Sequence, residues 1–595
     1  MPNLKPRDLW LITSLVFVFF WSLPNLSHPI GRDQALYCVI AQGVLDGQRP
    51  YLDLWDNRPP TTFLVFVPIV KVLGNVMWSV GAVDILWLLC ISYFIFLFAE
   101  RYLGLGPAVL AVSVNAVWHC AAGYTHALVP STIVIFCMFV GLVLVWNEGR
   151  WTRVRHFGAG LMLGAAFWAT FNALVLAPLL LFLPYLDFRE IDQQPRRVTW
   201  AICGRSWLPR AAALTLGFLA VLVGMIAYLR LVGSWQSFRE INFEAMPIYA
   251  RLPLERTEGY WLRAIKETEY VVGQLTLVVL LAAILIARKQ RELYRLAPVL
   301  LAAALGFFSA AIQVRFHAYY FETSYPFFAM AWGYMGAKAL ESFRALARHA
   351  RAKGWRVASI LVWVLLADVL AWFAVDLFWS GYPRYKALGL WWHRPERLYA
   401  AYPWSHTLEH LKGELGVVRY LKVNSSPSDR LFIWGTQPLI YFLSERRPAT
   451  RFISNLGLIS PWGLRSWRAE LVRDLREAPP LYLVVVRKDA IPSVSYTSDD
   501  SEKILTAFPE LAAVIADSYQ KVETVENFVI YRRAASPPWK ATVSVRGAAG
   551  GETWRRAGLR FTRAADASQQ SPGKGIPMIG FRSLGSRRGT NHRDA

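Results

Sequence analysis

The chain is poor in cysteine and lacks the short motifs that mark several large classes of protein. Its five cysteines form no Cys-x-x-Cys pair, so a zinc or redox site built on thiols is not expected. They are Cys38, Cys90, Cys120, Cys137 and Cys203. The part that follows Cys203 therefore has no disulfide, and its C-terminal region has no Gly-x-Gly-x-x-Gly run for a nucleotide. No nucleic-acid-binding module is present either, so we expect no nucleic-acid partner despite the net charge of +23.

Long apolar runs are what the chain has instead. Hydrophobic residues make up 55% of it, and they are concentrated in runs long enough to cross a bilayer. These runs cover 9–24, 76–98, 107–122, 126–146, 211–232, 269–287, 296–314, 321–338 and 357–379. The run 157–187 is too long for one crossing and contains Pro178 and Pro184, so it predicts a hairpin of two short helices. The sequence thus predicts a polytopic α-helical membrane protein with about eleven transmembrane helices.

The basic residues between the runs predict the orientation. Arginine and lysine are concentrated in the loops 147–156, 187–210, 288–295 and 338–356. The positive-inside rule places these loops and the N-terminus, 1–8, in the cytoplasm, which makes the chain a multi-pass protein of the plasma (inner) membrane. The first run follows Lys5 and Arg7 without a small-residue cleavage site, so we expect it to be a retained helix. The first loop, 25–75, and everything after 379 then lie on the outer, extracytoplasmic side.

The pattern changes after the transmembrane region, 9–380, and a connector, 381–404. Helix-like stretches at 407–422, 462–476 and 501–517 alternate there with short strand-like runs at 430–434, 481–487 and 527–532. This alternation predicts a soluble α/β domain over 405–533 on the outer face. Residues 534–595 are rich in Gly, Ser and Arg and poor in aliphatic residues, which predicts a basic, disordered tail.

The first outer loop has the densest group of polar residues next to an apolar run. Between residues 25 and 60 it carries acids and arginines at the predicted membrane face: Asp33, Asp46, Asp53, Asp56, Arg32, Arg49 and Arg58. Residues 35–45 have apolar residues at helical spacing, so we expect this segment to lie flat on the bilayer with Asp33 at the helix start. The residue pattern leaves two interpretations of Asp33 open, an N-cap of that helix or a catalytic group.

Within this loop one spaced pattern stands out, formed by Asp33, Gln34, Tyr37, Gly47, Pro50, Tyr51, Asp53, Trp55, Asp56, Arg58, Pro59 and Pro60. This pattern resembles that of the GT-C membrane glycosyltransferases. It is most similar to bacterial relatives of the protein O-mannosyltransferases and lipid A aminoarabinose transferases (glycosyltransferase family 39-like). A weaker match lies at 315–326, and 430–452 is similar to the C-terminal domain of such transferases. The chain departs from the family at Gln34, where Glu is frequent, and at Arg58, where Lys is frequent.

This resemblance implies transfer of a sugar from a polyprenyl phosphate to a glycan, lipid or protein acceptor at the outer face. It implies Asp33 as the general base, with Arg58, Arg315, Tyr319 and Tyr320 on the phosphate of the donor. It also implies a set of substrate-binding residues: Gln34, Tyr37, Tyr51, Asp53, Asp56, His126 and His317. For Arg315 an interfacial side chain without a catalytic role is the other interpretation. The resemblance assigns no cofactor to the chain, and a divalent metal is left open because Gln34 weakens the acidic pair.

Other functions share parts of this pattern. A multi-pass transporter would explain the helices, although its usual repeated halves are not visible here. A polysaccharide ligase or polymerase that uses lipid pyrophosphate would share the topology but fits the early Asp and the Arg-Pro-Pro sequence less well. The α/β domain either binds the acceptor or only stabilises the outer face. The sugar, the acceptor and the oligomeric state are not encoded in any pattern that we recognise.

Overall fold

The apolar runs of the N-terminal part form the long helices of the structure. The computed structural model describes residues 5–146, 151–183, 207–256, 261–262, 266, 279–280, 282–284, 290–401 and 411–534. Four helices in these ranges are long and apolar enough to cross a membrane: Pro6–Ser27, Ser79–Leu103, Leu105–Ala122 and Trp207–Leu231. The chain is thus mostly helical with membrane-spanning candidates, whereas about eleven crossings and their orientation stay predictions.

Further helices complete the N-terminal part. They are Arg32–Leu45, Thr61–Leu64, Phe66–Leu73, Pro130–Trp146, Thr152–Phe167, Ala177–Phe182, Trp235–Arg239, Met246–Arg256, Gln290–Ala311, Tyr325–Ala352, Arg356–His393 and Pro395–Ala401. Short 3₁₀ segments at Leu23–Ser27, Gly123–His126, Phe171–Leu176 and Ala318–Thr323 and a π-helical turn at Glu240–Ala245 lie between them. The run 157–187 is interrupted after Phe167, at the position where the sequence predicts the turn of a hairpin. Helix Arg356–His393 continues through most of the range predicted as a connector.

Small residues bring the helices of this part into close contact. A Cβ atom on Gly160 would lie 2.0 Å from the carbonyl oxygen of Leu214, and one on Gly217 would lie 2.1 Å from that of Phe157. Helices Thr152–Phe167 and Trp207–Leu231 therefore touch backbone to backbone, which is how many transmembrane helices associate.

Some predicted segments lie outside the described residues. Most of the predicted span 269–287 does, together with much of the loops 147–156 and 187–210. The tail beyond Ala534 and residues 402–410, where the α/β domain was predicted to begin, also do. Predictions for these segments are untested.

The C-terminal part is an α/β domain with a small mixed sheet. Its strands are β1 (Arg430–Trp434), β2 (Arg447–Pro448), β3 (Tyr482–Val486), β4 (Tyr519–Val525) and β5 (Phe528–Arg533). The strand order is β2-β1-β3-β5-β4, with β1 parallel to β2 and β3, and with β5 antiparallel to β3 and β4. Its helices are Leu411–Asn424, Leu439–Ser444, Leu456–Ile459, Arg465–Glu477, Pro492–Ser495, Ser501–Thr506 and Pro509–Ser518. The three predicted strands are confirmed as β1, β3 and β5.

One hydrophobic core joins the first outer loop to this sheet. Residues Ala35–Ala41 of helix Arg32–Leu45 are buried in the same cluster as β1, β3 and β5. The C-terminal domain and helix Phe66–Leu73 cover the apolar residues of this helix, so these residues pack against protein. Its orientation relative to the bilayer stays a prediction. Amphipathic spacing shows that a face is buried but does not distinguish lipid from protein as the cover.

Candidate functional site

The helix Arg32–Leu45 presents Asp33 in its first turn. Gly31 is the N-cap residue and no side chain caps the helix, so Asp33 is not the N-cap that the sequence left open. Its carboxylate instead forms an ion pair with Arg58, with 2.8 Å between Asp33 Oδ2 and Arg58 Nη2. Both side chains are about one-quarter exposed. The structure thus brings together the predicted general base and the first predicted phosphate ligand.

A tight turn holds Arg58 in place. Asp56 Oδ1 accepts hydrogen bonds from the backbone N–H groups of Asn57 (2.6 Å) and Arg58 (3.2 Å) and lies 3.3 Å from Arg58 Nη1. The guanidinium lies over the ring of Tyr37, 5.1 Å from its centroid. The hydroxyl of Tyr51 donates to the carbonyl oxygen of Arg58 at 2.6 Å. The carboxylate of Asp56, the ring of Tyr37 and the turn together fix the Arg58 side chain. Its position is therefore set before any ligand arrives.

Electrostatics separate the two carboxylates beside Arg58. Burial favours the neutral form of Asp33, but the charges of Arg58 and Arg32 outweigh it and lower its pKa. Burial dominates for Asp56 and raises its pKa, although Arg58 opposes the shift. Asp33 is therefore the more readily ionised of the two carboxylates, and Asp56 lies buried beneath the guanidinium.

Asp33 and Arg58 line a cavity of 590 Å³ between the N-terminal part and the C-terminal domain. Its N-terminal wall includes Gly31, Arg32, Gln34, Trp55, Asn57, Pro130, Ser131, Thr170, Phe171, Asn172, Met246, Tyr249, Gln313, Arg315, His317, Tyr319, Tyr320 and Thr323. Its C-terminal wall includes Thr436, Pro438, Ser454, Leu456, Trp462, Ile491, Ser493 and Val494. The cavity has the volume of a site for a small ligand, with few charged groups among many neutral ones.

Arg315 lies at the junction of three segments on this cavity. Its guanidinium donates to the carbonyl oxygens of Ser493 and Tyr249, both at 3.1 Å, and to the hydroxyl of Tyr496 at 3.0 Å. It also stacks on the ring of Tyr249, 3.4 Å from the centroid. Among the described residues no carboxylate forms an ion pair with it, and its Nε is buried without a hydrogen-bond partner. A buried cation that faces only neutral acceptors favours binding of an anion.

The aromatic turn after Arg315 completes this side of the cavity. The rings of Tyr319 and Tyr320 are 4.7 Å apart at 81°, and the ring of His317 stacks on Tyr319 at 5.7 Å. The hydroxyl of Ser131 donates to the backbone carbonyl of Tyr319 at 2.6 Å, which fixes the turn. All three of the predicted side chains in this turn therefore line the cavity with Asp33 and Arg58.

Other predicted substrate-binding residues have structural partners. Gln34 lines the cavity, but its amide donates to the carbonyl oxygen of Ala127 at 2.7 Å. Tyr37, Tyr51 and Asp56 are buried behind Arg58 and are not among the lining residues. Asp53 is paired with Arg49 at 2.9 Å, away from the cavity. Of these five predicted residues only Gln34 lines the cavity, whereas Tyr37, Tyr51 and Asp56 support Arg58 from behind.

His126 belongs to a buried network that sequence reasoning missed. Its imidazole bonds to Glu322, which also lies 3.7 Å from His119. His119 in turn contacts Asp84 at 3.1 Å, and Asp84 accepts a hydrogen bond from Asn25 at 2.9 Å. In the sequence, only the apolar context of Asp84 could have indicated that it has a buried partner. The network joins the turn Gly123–His126 to the turn that carries Tyr319 and Tyr320.

Asn172 lines the cavity after the break in the run 157–187. Its amide donates to the carbonyl oxygen (2.7 Å) and the hydroxyl (2.9 Å) of Ser309. In the part of the chain that the structure describes, no group of three or more His, Cys, Asp or Glu side chains is arranged to hold a metal. Metal dependence therefore stays an open prediction.

Comparison with known proteins places this site in a known fold. No protein-family model and no curated protein matches the chain. The structure is similar to ArnT from Cupriavidus metallidurans bound to undecaprenyl phosphate, with a TM-score of 0.51 and 14% identity over 89% of this chain and 98% of that one. The apo state of the same ArnT gives a TM-score of 0.50 and 15% identity over 89% of this chain and 99% of that one.

A more distant likeness, with a TM-score of 0.43 and 12% identity, is to the archaeal oligosaccharyltransferase AglB from Archaeoglobus fulgidus in complex with an inhibitory peptide and a dolichol-phosphate. It covers 81% of this chain and 70% of that one. ArnT is an aminoarabinose transferase, and the likeness to its two structures confirms the predicted GT-C resemblance at the level of the fold. At this identity they do not assign a substrate to the chain.

Proposed function

We propose that the chain is a membrane glycosyltransferase that moves a sugar from a polyprenyl phosphate to an acceptor hydroxyl or amine at the outer face. The observation that carries the proposal is the Asp33–Arg58 ion pair on a cavity that Arg315, Tyr319 and Tyr320 also line. A base, a set of cations and phenolic donors in one cavity are the groups that such a transfer requires. The fold likeness to an ArnT bound to undecaprenyl phosphate supports the same class of donor.

The phosphate of the donor lies between Arg58 and Arg315 in this proposal. Arg315 has no carboxylate partner among the described residues, so an incoming phosphate gains its charge without breaking an ion pair. The hydroxyls of Tyr319 and Tyr320 donate to the remaining phosphate oxygens. A phosphate that binds beside Arg58 competes with Asp33 for the guanidinium, and this competition frees the Asp33 carboxylate.

The freed carboxylate then acts as the general base. Asp33 accepts the proton of the acceptor hydroxyl while the oxygen of that hydroxyl attacks the anomeric carbon of the sugar. The bond between this carbon and the phosphate oxygen breaks, and its electron pair leaves with the lipid phosphate. Arg58 and Arg315 stabilise the charge that develops on this leaving group.

The membrane location of this reaction is part of the proposal. The basic loops favour a cytoplasmic N-terminus and an extracytoplasmic C-terminal domain, in a plasma membrane with about eleven crossings. A lipid-linked donor suits that side, because the C-terminal domain has no nucleotide-binding run. The sugar, whether hexose or pentose, is not specified by these observations.

The test compares two matched aspartate variants of one helix. Asp33→Asn is nearly isosteric, and Asp46→Asn changes the residue at the other end of helix Arg32–Leu45, where Asp46 pairs with Arg447 at 3.3 Å. Release of polyprenyl phosphate is measured from a panel of undecaprenyl-phosphate hexoses and pentoses. We expect turnover by Asp33→Asn to fall at least about 10²-fold, with Asp46→Asn close to wild type. Wild-type turnover by Asp33→Asn would remove Asp33 as the base, and no turnover by the wild type with any donor would overturn the proposed function.

A further inference from the structure

The charges that line the cavity all come from the N-terminal part. Apart from tyrosines, the charged or titratable lining residues are Arg32, Asp33, Arg58, Arg315 and His317. Each of them precedes the C-terminal domain in the chain. The C-terminal wall is different in kind. It consists of the hydroxyl-bearing residues Thr436, Ser454 and Ser493 and of the apolar residues Pro438, Leu456, Trp462, Ile491 and Val494. The two walls therefore suit two different ligands.

The uncharged wall is fixed to the rest of the cavity by direct contacts. The indole of Trp55 in the first loop stacks on Trp462 at 6.0 Å and meets the edge of Trp467 at 5.5 Å. The backbone N–H of Trp55 donates to the carbonyl oxygen of Arg451 at 2.7 Å. Arg451 also pairs with Glu240 of the N-terminal part at 3.4 Å. These contacts make the C-terminal domain one wall of the cavity.

Arg315 ties the edge of this wall to the phosphate side. Its hydrogen bonds to Ser493 and Tyr496 hold the segment 491–496, whose residues Ile491, Ser493 and Val494 line the cavity. A ligand on the C-terminal wall therefore lies in the same cavity as the phosphate-binding groups. This proximity is what a transfer between two substrates needs.

The charges of the cavity belong to its N-terminal wall and to the donor. Three arginines and His317 line that wall, with Asp33 beside them and Asp56 buried beneath Arg58, and the phosphodiester of a bound donor lies among these groups. A phosphorylated or ammonium-bearing acceptor on the C-terminal wall would place its charge against hydroxyl-bearing and apolar residues, which is costly because no group of opposite charge compensates it there.

We propose that the C-terminal wall is the acceptor subsite and that the acceptor is an uncharged, hydroxyl-bearing glycan. This inference rests on the proposed function, and it narrows the acceptor from a hydroxyl or amine to a neutral hydroxyl compound. Thr436 and Ser454 supply hydroxyls that bond to those of the glycan, and the apolar residues around Trp462 cover its less polar face. Asp33 accepts the proton of the reacting hydroxyl as described above.

The first arm of the test determines the charge of the product. The purified protein is incubated with radiolabelled undecaprenyl-phosphate sugars and a de-lipidated glycan extract of the source cells, and the products are separated on anion and cation exchangers at pH 7. We expect the transferred label in the fraction that neither exchanger retains. Transferred label in a retained fraction would overturn the inference while leaving the proposed function intact. Label that stays on the lipid with this extract would overturn the inference, and it would overturn the proposed function as well if lipid and protein acceptors also receive no label.

The second arm assigns the neutral product to the wall. Thr436→Val removes a hydroxyl at almost constant shape, and Thr524→Val is the matched control on the exposed face of β4. With the purified neutral glycan fraction as acceptor, we expect Thr436→Val to raise the acceptor KM about tenfold and to leave the donor KM unchanged. A rise in the donor KM, or equal effects of both variants, would overturn the assignment. Unchanged binding of undecaprenyl phosphate shows that the variant is folded.

Discussion

At the scale of single residues, Arg58 sets the protonation of the predicted base. Burial alone would raise the pKa of Asp33, and the charge of Arg58 is the largest cause that lowers it. Arg58→Gln removes this charge and leaves the burial, so we expect the pKa of Asp33 to rise. The ionised base is then lost as the pH falls through a higher value, and the acidic limb of the profile of kcat/KM against pH moves to higher pH.

Two comparisons make this prediction specific. Arg49→Gln is the control, because Arg49 pairs with Asp53 on the surface and its loss leaves Asp33 untouched. The measured quantity is the ratio of kcat/KM at pH 5 to that at pH 8, which should fall in Arg58→Gln only. Overall activity of this variant should also fall about 10²-fold, since a phosphate ligand is lost. An acidic limb that does not move would contradict the link between Arg58 and Asp33.

Glu414 offers a second test at this scale, on stability instead of activity. Burial raises its pKa to about 7, and the charge of Arg32 only partly opposes the shift. A glutamate has a pKa of ~4.3 in the unfolded chain. Between that pH and about 7, the folded protein keeps the carboxyl of Glu414 protonated while the unfolded chain has already lost the proton. The folded state is therefore favoured by this group at low pH and loses that stability, up to about 3 kcal/mol, as the pH rises through the interval.

Replacing the carboxyl removes this dependence on pH. Glu414→Gln keeps the shape and cannot ionise, so we expect its Tm to exceed that of the wild type at pH 8 and to approach it at pH 5. Glu510→Gln, on the exposed surface of the same domain, should follow the wild type at both values. Thermal unfolding in detergent at the two pH values measures the effect. An equal Tm for Glu414→Gln and wild type at pH 8 would show that the carboxyl carries no burial cost.

At the scale of elements, two helices depend on glycine for their contact. Gly217 lies on helix Trp207–Leu231 against the backbone of Phe157, while Gly224 on the same helix has no atom within 4 Å of where a Cβ would be. Gly217→Ala places a methyl group 2.1 Å from a carbonyl oxygen, so the helices must separate, at a cost of roughly 1–3 kcal/mol. Gly224→Ala has room, and alanine is the better helix former.

The measurement is the Tm of each variant in the same detergent. Gly217→Ala should unfold several degrees below the wild type, and Gly224→Ala should unfold at the same temperature or above it. Gly160→Ala, on the partner helix, should behave like Gly217→Ala because its Cβ would meet Leu214. Equal Tm values for Gly217→Ala and Gly224→Ala would mean that the two helices repack without loss.

The elements were also what the sequence could predict best. Apolar runs and strand-like alternation are local, so β1, β3, β5 and most long helices were found near their observed bounds. Contacts across the cavity are not local. Arg315 meets Ser493 and Tyr496, far along the chain, and Glu322 meets His126 across two turns. No periodicity of the sequence encodes such pairs. Asp33, Arg58 and the turn with Tyr319 and Tyr320 were therefore predicted only from the resemblance. The wall that the C-terminal domain adds to the cavity was not predicted.

At the scale of the whole molecule, the C-terminal domain and the first outer loop are one structural unit. Their buried residues form a single core, and Trp55, Arg451 and Arg315 join them around the cavity. The side of the membrane on which the C-terminal domain lies is therefore also the side on which Asp33 lies. Any determination of the domain's location locates the reaction as well.

Introduced cysteines provide that determination, because no native cysteine follows Cys203. Val423 is 79% exposed on the α/β domain, and Arg348 is exposed near the end of helix Tyr325–Ala352, in a predicted cytoplasmic loop. If the basic loops face the cytoplasm, a membrane-impermeant thiol reagent added to intact cells should label Val423→Cys and spare Arg348→Cys. Permeabilised cells should show labelling of both variants, and the wild type corrects for the native thiols.

The opposite pattern would reverse the whole assignment. Labelling of Arg348→Cys but not of Val423→Cys in intact cells would place the α/β domain, and with it the cavity at Asp33, in the cytoplasm. A lipid-linked donor would then lose its main topological support, because nucleotide sugars are available on that side. Protection of both positions in intact cells would require an even number of crossings between residues 348 and 423, whereas helix Arg356–His393 supplies one continuous helix in this range. The expected pattern therefore tests the orientation and the position of the last crossing together.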